Sequence, residues 1–90
     1  MKFLLDQEVD VTVVAIRPWG LDVESPDGTR GFIDIAKDPA WRSGGRSTAV
    51  GSVLRVCVVD DERDPARLSA LDVDLEIARR LREEQAKHVR

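Results

Sequence analysis

Hydrophobic and polar positions alternate early in the chain. In Val9-Asp10-Val11-Thr12-Val13 the valines take every second place, and the apolar run continues to Ile16. That is the period of a strand with one buried face. Pro18 ends it, because proline has no N–H for a ladder. Leu21 and Val23 then alternate with Asp22 and Glu24 in a second strand opened by Trp19-Gly20. Ser25-Pro26-Asp27-Gly28 is a turn: proline presets φ at the second position and glycine supplies a permissive last one. The chain returns as a hairpin into a third strand, Thr29–Ile35. Ile33 and Ile35 share one face of it, Phe32 and Asp34 the other.

Periodicity stops over 36–49. Pro39, Ser43, Gly44, Gly45, Ser47 and Thr48 predict a long loop, with one helical turn near Pro39–Arg42. A fourth strand follows at Val53–Val59, with Leu54, Val56 and Val58 on one face and Cys57 outside that register. Asp60–Pro65 reads as a solvated turn and Ala66–Leu71 as a short fifth strand. From about 73 to 88 the period lengthens to that of a helix. Val73, Ile77 and Leu81 form an apolar stripe widened by Ala78. Asp72 or Asp74 caps its start, and Glu76–Arg80 and Glu83–Lys87 stand at i,i+4 spacing. The stripe either packs on the strands or pairs with another helix. Arg79, Arg80 and Arg82, mixed with glutamates, read as a solvated outer face.

Five short strands with a long third-to-fourth connection predict a small antiparallel barrel, since an open sheet of this size would leave two edges unpaired. Barrel closure also tolerates strand bulges, which Gly20 and Gly31 would permit. Ninety residues hold one domain. The predicted organisation is all-β with a C-terminal helix: a barrel over 1–72 and the helix over 73–90.

Composition narrows the function. Hydrophobic residues make up 42% and charged residues 34%, the balance of a globular domain rather than a disordered one. No apolar run approaches the roughly 20 residues of a membrane helix, and Phe3-Leu4-Leu5 is too short for a signal-peptide core. A cytoplasmic address with no membrane partner is the expectation. The net charge is −3, whereas nucleic-acid-binding domains are usually basic. The acidity lies in the first half, with 5 basic and 8 acidic residues over 1–45 against 9 of each over 46–90. Of the 14 basic residues 11 are arginine, a bias that a GC-rich genome also produces.

Catalytic signals are missing. There is no Gly-rich phosphate loop, no His/Cys set at metal-ligand spacing and no Ser-His-Asp arrangement. Cys57 is the single cysteine, and the only histidine, His88, stands in the tail. Asp60, Asp61, Glu62 and Asp64 lack the order of a calcium loop. The expectation is a protein that is not an enzyme and that takes no cofactor or metal.

Four pieces of sequence, in order, carry a family resemblance. They are Trp19-Gly20-Leu21-Asp22-Val23, Gly31-Phe32-Ile33-Asp34-Ile35-Ala36, Val50-Gly51-Ser52-Val53-Leu54-Arg55-Val56-Cys57-Val58, and Asp61 leading to Arg67-Leu68-Ser69. Over about 5–71 the chain resembles the S-one domain, an RNA-binding repeat. The resemblance implies a five-stranded antiparallel OB-fold barrel. It also implies an RNA surface of two aromatics on the second strand, a histidine on the third, and an Asp and an Arg near the fourth-to-fifth turn. Trp19 matches the first aromatic. The second falls on Asp22 and the histidine on Asp34. The acidic position falls on Asp61 or Asp60, and the arginine on Pro65, with Arg63 and Arg67 nearby.

Two readings follow. In the first, the domain binds single-stranded RNA weakly, or RNA within a larger ribonucleoprotein. Trp19 stacks a base and Phe32 is a second aromatic candidate; Arg30, Arg55 and Arg67 meet phosphates; Asp61 accepts from a base edge or ribose. Trp41 beside Arg42, with Lys37 and Arg46 in the same loop, forms the most basic aromatic patch, which either contacts RNA or leaves Trp41 to plug one barrel end. In the second, the barrel is a protein-interaction module whose Asp22, Glu24 and Asp34 offer an acidic face to a basic partner.

Overall fold

The computed structural model describes residues 2–42 and 48–88, with Arg42, Lys87 and His88 described by their backbone alone. Five strands appear: β1 (Glu8–Arg17), β2 (Gly20–Glu24), β3 (Arg30–Asp34), β4 (Val53–Asp60) and β5 (Ala66–Ser69). A 3-10 turn (Ile35–Lys37) and a short helix α1 (Pro39–Arg42) follow β3, and α2 (Asp72–His88) follows β5. The strands close a barrel in the order β1-β2-β3-β5-β4, the strand order of an OB-like fold, and α2 follows the barrel.

The expectation of a purely antiparallel barrel is corrected at one seam. β3 and β5 pair in parallel, Gly31 beside Ala66 and Ile33 beside Leu68, while every other pair is antiparallel. The cause is geometric: an odd number of strands in a closed ring cannot alternate direction all the way round.

The core follows the alternation. Val9, Val11 and Val13 of β1 face Leu21, Val23, Ile33, Val56, Val58 and Leu68. The bulges are not at glycines. Register shifts at Val14 in β1 and at Val59 in β4, where an extra residue lets the strand bend around the closing barrel. Gly20 and Gly31 serve close approach instead. A Cβ on Gly31 would stand 2.5 Å from the Leu68 side chain inside the barrel. In the hairpin, Gly28 N–H donates to the Ser25 carbonyl at 2.9 Å, and Gly28 has φ +85°, which favours glycine.

The loop after β3 is pinned by a residue without an obvious sequence signal. Asp38 is buried and accepts from the Ala40 N–H at 3.0 Å and from Thr48 Oγ1 at 3.2 Å. It holds both ends of the connection that encloses the undescribed residues 43–47.

Helix α2 presents a different face to the barrel from the one its hydropathy suggests. Leu75 and Ala78 are buried with Cys57 in a small second core. Val73, Ile77 and Leu81 are 57%, 48% and 40% exposed, so the stripe does not pack on the strands. Nor is the arginine face simply solvated. Glu8, whose side chain is 7% exposed, accepts from Arg79 at 2.9 Å and from Arg82, and Arg55 reaches it at 3.3 Å. Hydrogen bonds from Arg79 and Arg82 hold the Glu8 carboxyl down to about 2. At the other end, Asp74 accepts from Ser69 Oγ at 2.6 Å and Lys37 Nζ at 2.9 Å. Two polar anchors thus choose which side of the helix is buried. Cys57 beneath it is fully buried, and burial, reinforced by the nearby carboxylates of Asp74, Asp6 and Glu8, pushes its thiol up to about 11. That is the state of an inert core thiol.

Candidate nucleic-acid interface

A groove of about 800 Å³ crosses the outer face of β2 and β3. Its rims are the β1–β2 turn with Trp19 and the β4–β5 turn with Arg63. Pro18 and Gly20 make the first turn short. Trp19 stands on it 62% exposed, while its carbonyl accepts from the Ile35 N–H at 3.0 Å. The Trp19 backbone is therefore fixed on the end of β3, and its ring is left to solvent.

The floor is built by Gly20 and Phe32. Residues of β2 and β3 with even numbers face outward: Gly20 lies opposite Asp34 and Asp22 opposite Phe32. Because Gly20 has no side chain, the Phe32 ring can lie against the β2 backbone. A Cβ there would stand 2.4 Å from Phe32 Cζ. Phe32 is only 6% exposed, covered by the Arg67 guanidinium at 4.6 Å from the ring centroid. That stack is a cation–π contact. Phe32 is thus a buried floor rather than an open stacking platform.

Four cations, Arg17, Lys37, Arg63 and Arg67, share the groove with three carboxylates, Asp22, Asp34 and Asp60. The groove is slightly positive in a chain of net charge −3. Arg17 pairs with Asp22 at 3.0 Å and Arg63 with Asp60 at 3.4 Å. Lys37 reaches out of the groove to Asp74. Arg67, over the Phe32 ring, makes no ion pair among the described residues, and its donors remain for a ligand. Asp34 accepts from the Ala36 N–H at 2.9 Å, capping the 3-10 turn.

Of the sequence candidates, Trp19, Phe32 and Arg67 come together here. Others do not. Arg55 lies on β4 against Glu8 and Asp10. Arg30 pairs with Glu24 at 3.3 Å and borders a separate depression of about 210 Å³, together with Asp61. Asp61 accepts from the Leu5 N–H at 3.0 Å, tying the N-terminal segment to the β4–β5 turn. Trp41 is exposed on α1 and does not line the groove. The Arg42 side chain and Arg46 lie outside the described residues. On the acidic face, Asp22 and Glu24 are each matched by an arginine. Arg17 lines the groove although no motif singles it out, and Lys37, expected beside Trp41, lines it too; only the fold brings the end of β1 and the 3-10 turn to the same side. Among the described residues, no three His, Cys, Asp or Glu side chains are placed to hold a metal ion.

No protein-family model matches the chain, and no curated protein matches it. Solved structures do. An uncharacterised protein from Methanocaldococcus jannaschii superposes with TM-score 0.65 at 16% identity, over 81% of this chain and 99% of that one. A multidomain protein with nucleic acid binding domains from Streptococcus pneumoniae TIGR4 matches with TM-score 0.59 at 20% identity. That match covers 79% of this chain and 24% of that one. A chain of the complex of a/eIF2alpha, aDim2p and rRNA from Pyrococcus horikoshii OT3 matches with TM-score 0.62 at 20% identity, over 97% of this chain and 56% of that one. This chain therefore spans about a quarter of the second protein and just over half of the third. At these identities the likeness is one of fold: the chain is similar to these proteins in its closed five-stranded barrel.

Proposed function

We propose that the groove binds single-stranded nucleic acid, and RNA in particular. The observation that carries this reading is Trp19, a largely exposed indole with its backbone fixed on the rim of a cation-lined groove. The β2–β3 face between the β1–β2 and β4–β5 turns is where OB-folds take oligonucleotides. A base stacks on Trp19, and Arg67, with Arg17, Lys37 and Arg63 around it, meets phosphate. Two fold neighbours that carry nucleic-acid binding domains or sit in an rRNA complex support the same reading. The four ordered motif pieces support the S-one type within the OB-folds.

Binding is weak on this account. Among the described residues that line the groove, Trp19 is the one open stacking platform, and three of the four groove cations already face carboxylates, which repel phosphate. Fluorescence polarisation of a labelled single-stranded RNA of about eight nucleotides tests it. Binding at low salt that falls roughly three- to sevenfold between about 50 and about 200 mM salt is expected for one or two phosphates neutralised on a single strand. Absence of binding at low salt overturns the reading and leaves a protein partner on Asp22, Glu24 and Asp34 as the remaining one.

A further inference from the structure

The three groove carboxylates are not equivalent. Asp22 and Asp60 each face an arginine within the groove. Among the described residues Asp34 meets no cation; its Oδ1 accepts from the backbone N–H of Ala36 at 2.9 Å. It is exposed, at the end of β3, opposite Gly20 in register and one residue from the N–H that holds the Trp19 carbonyl. An uncompensated carboxylate beside an exposed indole is a liability for a backbone-binding groove, because it repels phosphate. It becomes favourable only if donors are brought to it.

We infer that the groove prefers guanine, with the base stacked on Trp19 and its N1–H and N2–H donated to the Asp34 carboxylate. This rests on the nucleic-acid reading above and deepens it. Guanine alone among the RNA bases carries two adjacent N–H donors on its Watson–Crick edge, spaced like the two oxygens of a carboxylate. Uracil offers one N–H between two carbonyl oxygens. Adenine and cytosine each set an amino group beside a ring-nitrogen acceptor, which faces the carboxylate with like polarity. A carboxylate has lone pairs enough to keep the Ala36 bond and still accept both guanine donors. Single-stranded RNA leaves that edge free to be read.

The test uses the whole chain and seven-nucleotide RNAs of uridine with one central base: guanine, adenine, cytosine, uracil or inosine. Inosine keeps N1–H and lacks the N2 amine, so it probes the second donor without touching the protein. The central guanine is expected to bind roughly tenfold more tightly than the other natural bases, the range of a bidentate base contact. Inosine loses most of that gain. Asp34→Asn abolishes the preference, because an amide cannot accept both donors, while affinity for the all-uridine RNA rises, because a charge that repels phosphate has left the groove. Asparagine also caps turns, so the variant keeps the Ala36 contact. Equal binding of all five RNAs, or a guanine preference that survives in Asp34→Asn, overturns the inference while leaving RNA binding intact. Failure of every RNA to bind the unmutated chain overturns the nucleic-acid reading itself.

Discussion

The Phe32 ring lies against the bare backbone of Gly20, where a Cβ would stand 2.4 Å from the ring and 2.3 Å from the Ile33 carbonyl oxygen. One of those neighbours is backbone and cannot yield cheaply. Gly20→Ala therefore destabilises the barrel by about 1–3 kcal/mol, the usual cost of overpacking. It also lifts Phe32 out from under Arg67. Urea unfolding reads the first effect. An unchanged midpoint would mean that the ring does not lie where it is described.

Glu8 makes the fold sensitive to acid. Its carboxyl is held down to about 2 from an ordinary 4.5. Because the folded value is the lower one, the unfolded chain takes up the proton first as pH falls. The stability contributed by Glu8 is fully present above about pH 5 and is lost between there and about pH 2. Glu8→Gln costs about 1–2 kcal/mol at neutral pH, the lower part of what charged hydrogen bonds contribute, since the guanidinium groups around it are partly in water. The deficit shrinks on acidification. Urea midpoints of both proteins across that pH range check it; a constant difference would contradict the role given to Glu8.

The buried side of α2 yields a contrast. Leu75→Ala opens a space beside Cys57 and costs about 2–3 kcal/mol. Ile77→Ala changes stability by no more than about 0.5 kcal/mol, because the side chain is half exposed and alanine is the better helix former. Thermal unfolding of the two variants gives the comparison. The reverse order of stabilities would place the other face on the barrel.

That contrast marks where sequence pattern stops being informative. The strands were legible because burial on one side imposes a period of two, which Val9, Val11, Val13, Val56 and Val58 keep. The bulges were not, because Val14 and Val59 have no local signal; they are set by how far a strand must bend to close the ring. The helix was legible as a helix, but its docking face was misleading. Val73, Ile77 and Leu81 are the more hydrophobic stripe, yet Glu8 and the Lys37–Asp74 pair rotate α2 so that Leu75 and Ala78 go inward. Both anchors are contacts between residues far apart in the chain. In the groove, Trp19 was legible from its place before Gly20. Arg17 and Lys37 became groove residues only through the fold, while Arg30 and Arg55, equally basic, point to other surfaces.

Position in the fold, not charge alone, decides which arginine matters. Arg67→Ala weakens RNA binding several-fold and makes the salt dependence shallower, the loss of about one phosphate contact. Arg55→Ala, on the far strand against Glu8 and Asp10, leaves RNA affinity and its salt dependence unchanged. Parallel titrations of the two variants at two salt concentrations distinguish them. Equal losses would point to a diffuse electrostatic attraction instead of a groove.

The most direct measurement places the signal on Trp19 alone. Trp41→Phe removes the other indole, outside the groove, and the emission of Trp19 is followed as short single-stranded RNA is added. Quenching that saturates, weakens with added salt and is absent on titration with a neutral osmolyte is the result that the proposed stacking of a base on this ring predicts. Trp19→Ala should cost about 1–3 kcal/mol of binding in a parallel polarisation assay. RNA that binds without disturbing Trp19 emission, and binds Trp19→Ala as well as the unmutated chain, would contradict the assignment of this groove as the nucleic-acid site.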